Sequence, residues 1–167
     1  MTPAEIAARL RERYDDVLVA RGEVTVLVEP AEVPATLTAL RDDPELSLDF
    51  LSCVTATHHP GAVPAMWIVY EMKSVAFHHR VRVKAGLASD DAPHLPSVTP
   101  LFPTANFQER EVFDFYGVVF DGHPDLTRIL LPDGWEGYPL LKTEELGGVN
   151  TRFDGAFIPP VDERTSP

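Results

Sequence analysis

AMWIVYEMKSVAFHHRVRVK, residues Ala65–Lys84, is the stretch on which the fold turns. Two runs rich in β-branched and aromatic residues flank Lys73-Ser74-Val75. They read as antiparallel strands, Ala65–Met72 and Ala76–Lys84. In the second strand the side chains alternate. Phe77, His79, Val81 and Val83 fall on one face, and His78, Arg80, Arg82 and Lys84 on the other. An apolar face of this kind must be covered, so the pair predicts a sheet with a second layer on one side. The basic face has two readings: a solvated sheet surface, or a docking strip for an acidic partner.

Outward from this pair, Leu46–Thr57 reads as a long strand bent near Ser52-Cys53. His58–Pro64 is a loop with Pro60-Gly61 as its turn. Upstream, Pro34–Arg41 is a helix with Leu37 and Leu40 inward, stopped by Asp42-Asp43-Pro44. Val17–Ala20 and Val24–Val28 are short strands around Arg21-Gly22. Thr2, Pro3 and Glu5 give the start of a first helix, with Ile6, Leu10 and Tyr14 as its apolar stripe and its end near Arg13. Downstream, Gly86–Pro96 reads as a loop and Ser97–Pro103 as a helical turn. The fold class is therefore α+β, a mostly antiparallel sheet with helices packed on one face. An extended C-terminal arm follows it.

The helix that closes this domain begins NFQEREVFDFYG at Asn106. Asn106 can cap, Glu109 stands at the capping-box position, and Gly117 is placed to end the helix in the left-handed conformation. Val112, Phe113, Phe115 and Tyr116 make one apolar arc. Arg110, Glu111 and Asp114 lie opposite, and Arg110 can pair with Asp114. Glu109 projects into the apolar arc. A carboxylate there needs a partner or a raised pKa, and Arg110 or Arg128 is the expected partner. Beyond Gly117 come a short extended piece at Val118–Phe120, the turn at Asp121-Gly122, and the breaker His123-Pro124-Asp125.

The domain is read as residues 1–117 and the arm as 118–167. Gly and Pro punctuate the arm, yet Phe120, Trp135, Tyr138, Phe153 and Phe157 occur in it. Disordered tails are poor in aromatics. The arm is therefore expected to place its aromatics in pockets of neighbouring chains.

The chain has 167 residues, is 44% hydrophobic and carries a net charge of −12. That charge argues against a nucleic-acid surface. No apolar run approaches the roughly 18 residues of a membrane span. The first residues read as a capped helix rather than a signal peptide, which predicts a cytoplasmic protein. With one cysteine, Cys53, the chain can form no internal disulfide and supply no four-thiolate cluster. Cys53 reads as a small buried hydrophobe. His58-His59 and His78-His79 point to opposite faces as strand neighbours, so neither pair suits one metal ion. No nucleotide-binding glycine motif is present. No metal, cofactor or catalytic residue is expected on this chain. A stand-alone acid–base enzyme using Glu109 and His123 is the alternative.

Glu109-Arg110-Glu111, Asp114, Gly117, Gly122-His123-Pro124-Asp125-Leu126, Arg128-Ile129-Leu130 and Leu131-Pro132-Asp133-Gly134-Trp135-Glu136-Gly137 closely resemble one family's signature. That family is the 30 kDa subunit of respiratory complex I, the C subunit of the bacterial NADH-quinone oxidoreductase. The resemblance implies a subunit without a redox centre, in the hydrophilic arm of a proton-translocating complex that passes electrons from NADH to quinone. It implies a peripheral place on the cytoplasmic side of the membrane. Its neighbours would be the 49 kDa quinone-site subunit and the iron–sulfur subunits, with FMN and the iron–sulfur clusters held elsewhere in the complex. Glu109, Arg110, Glu111, Asp114, Gly117, Gly122, His123, Pro124, Arg128 and Trp135 would then build a structural knot and partner contacts.

Some positions depart from the family pattern. Phe107 and Gln108 stand where the family has Trp and an aromatic or His. Thr127 replaces a basic residue, Leu141 an arginine and Thr143 an aspartate. These changes remove charge where a partner contact is expected. They leave open a homologous subunit of another complex, a membrane-bound hydrogenase or a ferredoxin-driven quinone reductase.

Overall fold

The computed structural model describes residues 1–132 and 134–144. A sheet forms from β1 (Val17–Ala20), β2 (Glu23–Val28), β3 (Phe50–His58), β4 (Met66–Lys73) and β5 (Arg80–Leu87), in the order β1-β2-β5-β4-β3. All its pairings are antiparallel except β2–β5, which is parallel. Helices α1 (Pro3–Leu10) and α2 (Val33–Asp42) bury Ile6, Leu10, Leu37 and Leu40 on one face of the sheet. Helix α3 (Ala105–Tyr116) lies against β3. A separate parallel pair, β6 (His94–Pro96) with β7 (Val119–Asp121), flanks α3. No described helix is long and apolar enough to cross a membrane.

The registers explain the core. Val17, Val26, Val83, Tyr70 and Val54 form one row across the five strands. Val28, Ala85, Ile68 and Ala56 form the next row. Every residue of both rows is buried. Thr2 closes the expected capping box on Glu5, with its hydroxyl accepting from the Glu5 N–H at 3.3 Å and its own N–H donating to Glu5 Oε2 at 2.7 Å. Asp43, at the end of α2, receives the Arg9 guanidinium at 2.9 Å and so ties the two helices together.

Three expectations are corrected. The second strand of the hairpin starts at Arg80, not Ala76. Residues 74–79 form a compact loop in which buried Ser74 donates its N–H to His79 O at 2.9 Å and accepts Phe77 N–H on Oγ at 3.1 Å. His78, at φ +60°, belongs to that loop rather than to the basic face. Cys53 is half-buried on the open face of the sheet, because a bulge absorbs Ser52 and puts Leu51 and Val54 inward. The segment read as loop 86–96 contributes the end of β5 and all of β6. A three-residue strand ending in proline gives no alternation to read.

Of the segment after Gly117, Val118 and Phe120 sit in this chain's own core, Phe120 at 2% exposure. Phe120 therefore fills an internal pocket, not one on a neighbour. Phe153 and Phe157, with the rest of 145–167, lie outside the described residues.

Leu37 is fully buried between α2 and the sheet. We expect Leu37→Ala to lower unfolding stability by about 2–5 kcal/mol, read from denaturant midpoints. A loss well under 1 kcal/mol would show that α2 does not pack as described.

Candidate functional site

The signature residues converge at α3 and the segment folded back over it. The helix begins two residues earlier than a cap at Asn106 predicts, at Ala105, with Thr104 preceding it and no side-chain cap. Asn106 is thus inside the first turn, and its carbonyl accepts the His123 Nε2–H at 3.1 Å. Asp125 N–H donates to His123 Nδ1 at 3.0 Å, so both ring nitrogens are occupied and the tautomer is fixed.

Glu109 is fully buried, and its partners differ from the expected arginines. Ser97 Oγ donates to Oε2 at 2.6 Å and Val98 N–H donates to Oε1 at 2.8 Å. These two bonds offset only part of the desolvation of a buried carboxylate, and burial pushes its pKa up to about 7. His123 Nε2 stands 3.9 Å from Glu109 Oε2, and neither side chain is exposed. The sequence pairs Glu109 with His123 only in the acid–base alternative, and it does not point to Ser97. A serine ahead of a helical turn carries no signal that it will reach a glutamate twelve residues on.

Arg110 does not pair with Asp114. It donates to Thr127 O at 3.0 Å, to Thr127 Oγ1 at 2.9 Å and to Arg128 O at 3.2 Å. Thr127 therefore supplies an acceptor that a basic residue at this position would lack. Asp114 is fully buried and takes four donors from the returning chain. Arg128 Nη1 reaches Oδ1 at 2.8 Å, and the N–H groups of Ile129, Leu130 and Leu131 reach Oδ2 at 3.1, 2.8 and 2.9 Å. The three consecutive amides form a nest for one oxygen. These amides and Arg128 outweigh desolvation and hold the Asp114 pKa down at about 2.

Arg128 also donates to Gly137 O at 3.2 Å, and its guanidinium lies 5.3 Å from the Tyr138 ring centroid. Tyr138 in turn covers Gly117. At φ +75° Gly117 ends α3 as expected, and a Cβ there would meet the tyrosine ring at 2.6 Å. Leu140 N–H donates to Phe115 O at 3.1 Å. Lys142 N–H donates to Nδ1 of buried His58 at 2.9 Å, whose Nε2–H donates to Asp90 at 2.8 Å. Neither His58 nor Tyr138 carries a local sequence signal for these roles. Leu141, where the family pattern has arginine, packs against the core and does not face outward. Glu111, Gly122, Pro124 and Trp135 are exposed and take no part in the buried network. Among the described residues no group of three metal-ligating side chains comes together.

Residues 26–150 match the family described as the respiratory-chain NADH dehydrogenase 30 Kd subunit. The chain belongs to this family. A relative from Salinispora tropica is 42% identical over 97% of this chain and 69% of its own length. One from Acidothermus cellulolyticus is 42% identical over 93% of this chain and 81% of its own. One from Mycolicibacterium smegmatis is 40% identical over 93% of this chain and 67% of its own. Each is named as the C subunit of an NADH-quinone oxidoreductase. The matched region begins within β2, leaves β1 outside, and includes β3, β4, β5 and α3.

The two buried carboxylates give opposite pH dependences. The folded pKa of Glu109 is raised from 4.5 to about 7, so its contribution is fully present below pH 4.5 and is lost as pH rises through 7. That contribution is on the order of 3 kcal/mol. The folded pKa of Asp114 is lowered from 3.8 to about 2, so its contribution is present above 3.8 and lost as pH falls toward 2. We expect Glu109→Gln to flatten the decline in stability between pH 4.5 and 7, and Asp114→Asn to leave that decline intact while weakening the acid limb, to which Asp43 also contributes. Urea midpoints measured across pH check both. Identical profiles for wild type and Glu109→Gln would show that Glu109 is not held protonated.

Gly117→Ala combines an unfavourable positive φ with a clash against Tyr138. It should lower stability by more than about 1 kcal/mol. It should also speed amide exchange at Leu140, whose bond to Phe115 O depends on the same seat. Unchanged exchange at Leu140 would show that Tyr138 does not fix the return of the chain.

Proposed function

We propose that this chain is a structural subunit of the peripheral arm of a proton-translocating NADH-quinone oxidoreductase. In this reading it carries none of the catalytic residues. FMN, the iron–sulfur clusters and the NADH and quinone sites belong to other subunits. It sits on the cytoplasmic side of the membrane against the 49 kDa quinone-site subunit and the iron–sulfur subunits. Glu109, Arg110, Asp114, Gly117, His123 and Arg128 shape the contact surface from within. Glu111, Gly122, Pro124 and Trp135 belong to its exposed side.

One observation carries this reading. Glu109, Arg110, Asp114, His123 and Arg128 of the signature are satisfied inside the chain, while several apolar groups of the same knot are left outside. Asp114 spends its acceptors on Arg128 and three amides, and Glu109 and His123 are closed to solvent. A general acid or base must reach the proton it transfers, and no substrate reaches these two. On the same knot Phe107, Ile129, Leu130, Trp135 and Leu140 are exposed, Phe107 at 63% and Leu130 at 60%. Exposed aromatic and aliphatic side chains of this kind supply the apolar groups that a protein-docking surface needs.

Asp114→Asn replaces one oxygen of the nest by an NH2 group and loses the charge that holds Arg128. We expect the amount of assembled complex to fall several-fold while NADH:quinone turnover per assembled complex stays the same. Native gels quantified beside activity measure both. Normal assembly with depressed turnover would place chemistry at this site and reject the structural role.

A further inference from the structure

The open face of the five-stranded sheet lies opposite the helices. Its rows run Leu18, Thr25, Arg82, Glu71 and Cys53, then Leu27, Lys84, Val69 and Thr55. The basic strip read from the sequence is here, but most of its charge is already satisfied. Arg82 is held between Glu71 and Glu23, the latter at 3.0 Å, and Glu23 also receives Arg80 at 2.8 Å. Lys84 differs from both arginines. Among the described residues its ammonium has no hydrogen bond and no carboxylate partner. It lies 4.5 Å from the Trp67 ring centroid, beside Leu27 and Val69.

That is an unfavourable seat for a lone cation. Lys84 is half-buried, and burial together with the neighbouring Arg82 pushes its pKa below the usual lysine value. The stack on Trp67 offsets only part of this. An arrangement of Trp, Val and Leu around one unpaired charge has the composition of an interface centre rather than of a solvated surface. The sign of the charge names the complement. On the strands of this face Lys73, Arg80, Arg82 and Lys84 outnumber Glu23 and Glu71; Glu111 stands at the β3 rim, and Asp15, Asp16, Glu29 and Glu32 line the cleft at the sheet's end beside Trp67 and Leu27. The chain as a whole carries −12.

We infer that the open sheet face, centred on Lys84 and Trp67, is a second docking surface that receives a carboxylate-bearing segment of another subunit, with one Asp or Glu seated on Lys84. The inference rests on the reading of this chain as a subunit, and it concerns a face distinct from the α3 knot. Apolar residues of that segment cover the half-buried Trp67 and Leu27.

The test compares Lys84 in the isolated full chain and in the purified complex, using an amine-acylating reagent read by mass spectrometry. Lys84 should react readily in the isolated chain and several-fold more slowly in the complex. A zero-length carbodiimide should link it to an Asp or Glu of another subunit. Lys84→Met keeps the stem on Trp67 and should abolish that link with the chain still folded. Lys84→Glu sets like charges together and should lower the yield of assembled complex about tenfold or more. Equal reactivity in both states overturns the inference while leaving the subunit role intact. Slow reaction already in the isolated chain, with a link to residues 145–167 or to a second copy, overturns it too. Absence of this chain from the purified complex removes the reading on which the inference rests.

Discussion

Asp114 is a buried carboxylate that the chain has to compensate, and the way it does so shapes everything after α3. Three successive amides and one guanidinium converge on it. Residues 129–131 therefore cannot extend a strand or helix, because their N–H groups point at a single oxygen. Ile129 and Leu130 are left exposed beside so polar a centre. Arg128, fixed by the same carboxylate, carries the constraint onward to Gly137 and Tyr138, and Tyr138 closes on Gly117. One charge thus determines the path of about two turns of irregular chain, in a segment where no regular hydrogen-bond ladder could do so.

Glu109 solves a different problem one helical turn earlier. It faces the sheet, has no arginine or lysine partner, and takes its two hydrogen bonds from a hydroxyl and one amide, with His123 Nε2 at 3.9 Å. Two carboxylates on one short helix are thus driven in opposite directions, one toward the neutral form by desolvation and one toward the charged form by converging donors. This division suits a scaffold. The neutral group sits where the helix must pack on β-structure, and the charged group sits where loose backbone must be gathered.

The sheet shows the same logic of local satisfaction. Glu23 and Glu71 neutralise two arginines within the plane, so a strip that reads as four positive groups presents much less free charge. What remains is concentrated at Lys84, where the charge sits among apolar neighbours. Counting charges along a strand overstates a docking surface. The unpaired charge beside an aromatic ring is the more informative feature.

The sequence alone determined the elements whose signal is periodic or local. The α+β class followed from the β-branched and aromatic runs of β2, β4 and β5 and the alternation within β5, and the two N-terminal helices followed from a cap, a stop signal and apolar stripes. The bend at Ser52 and the left-handed end of α3 at Gly117 were also legible, because a bulge and a positive φ are properties of a few adjacent residues. The signature string was long enough to indicate the family. Tertiary structure decided everything that depends on partners distant in the chain. Glu109 pairs with Ser97 rather than an arginine, Arg110 and Asp114 each prefer the returning segment to one another, and His58 waits for Lys142. The physical reason is the same in each case. A helix neighbour offers a weak, solvent-screened ion pair, whereas a buried acceptor is satisfied by whichever donor the folded chain brings to it with water excluded. Spacing along the chain does not record which donor that will be.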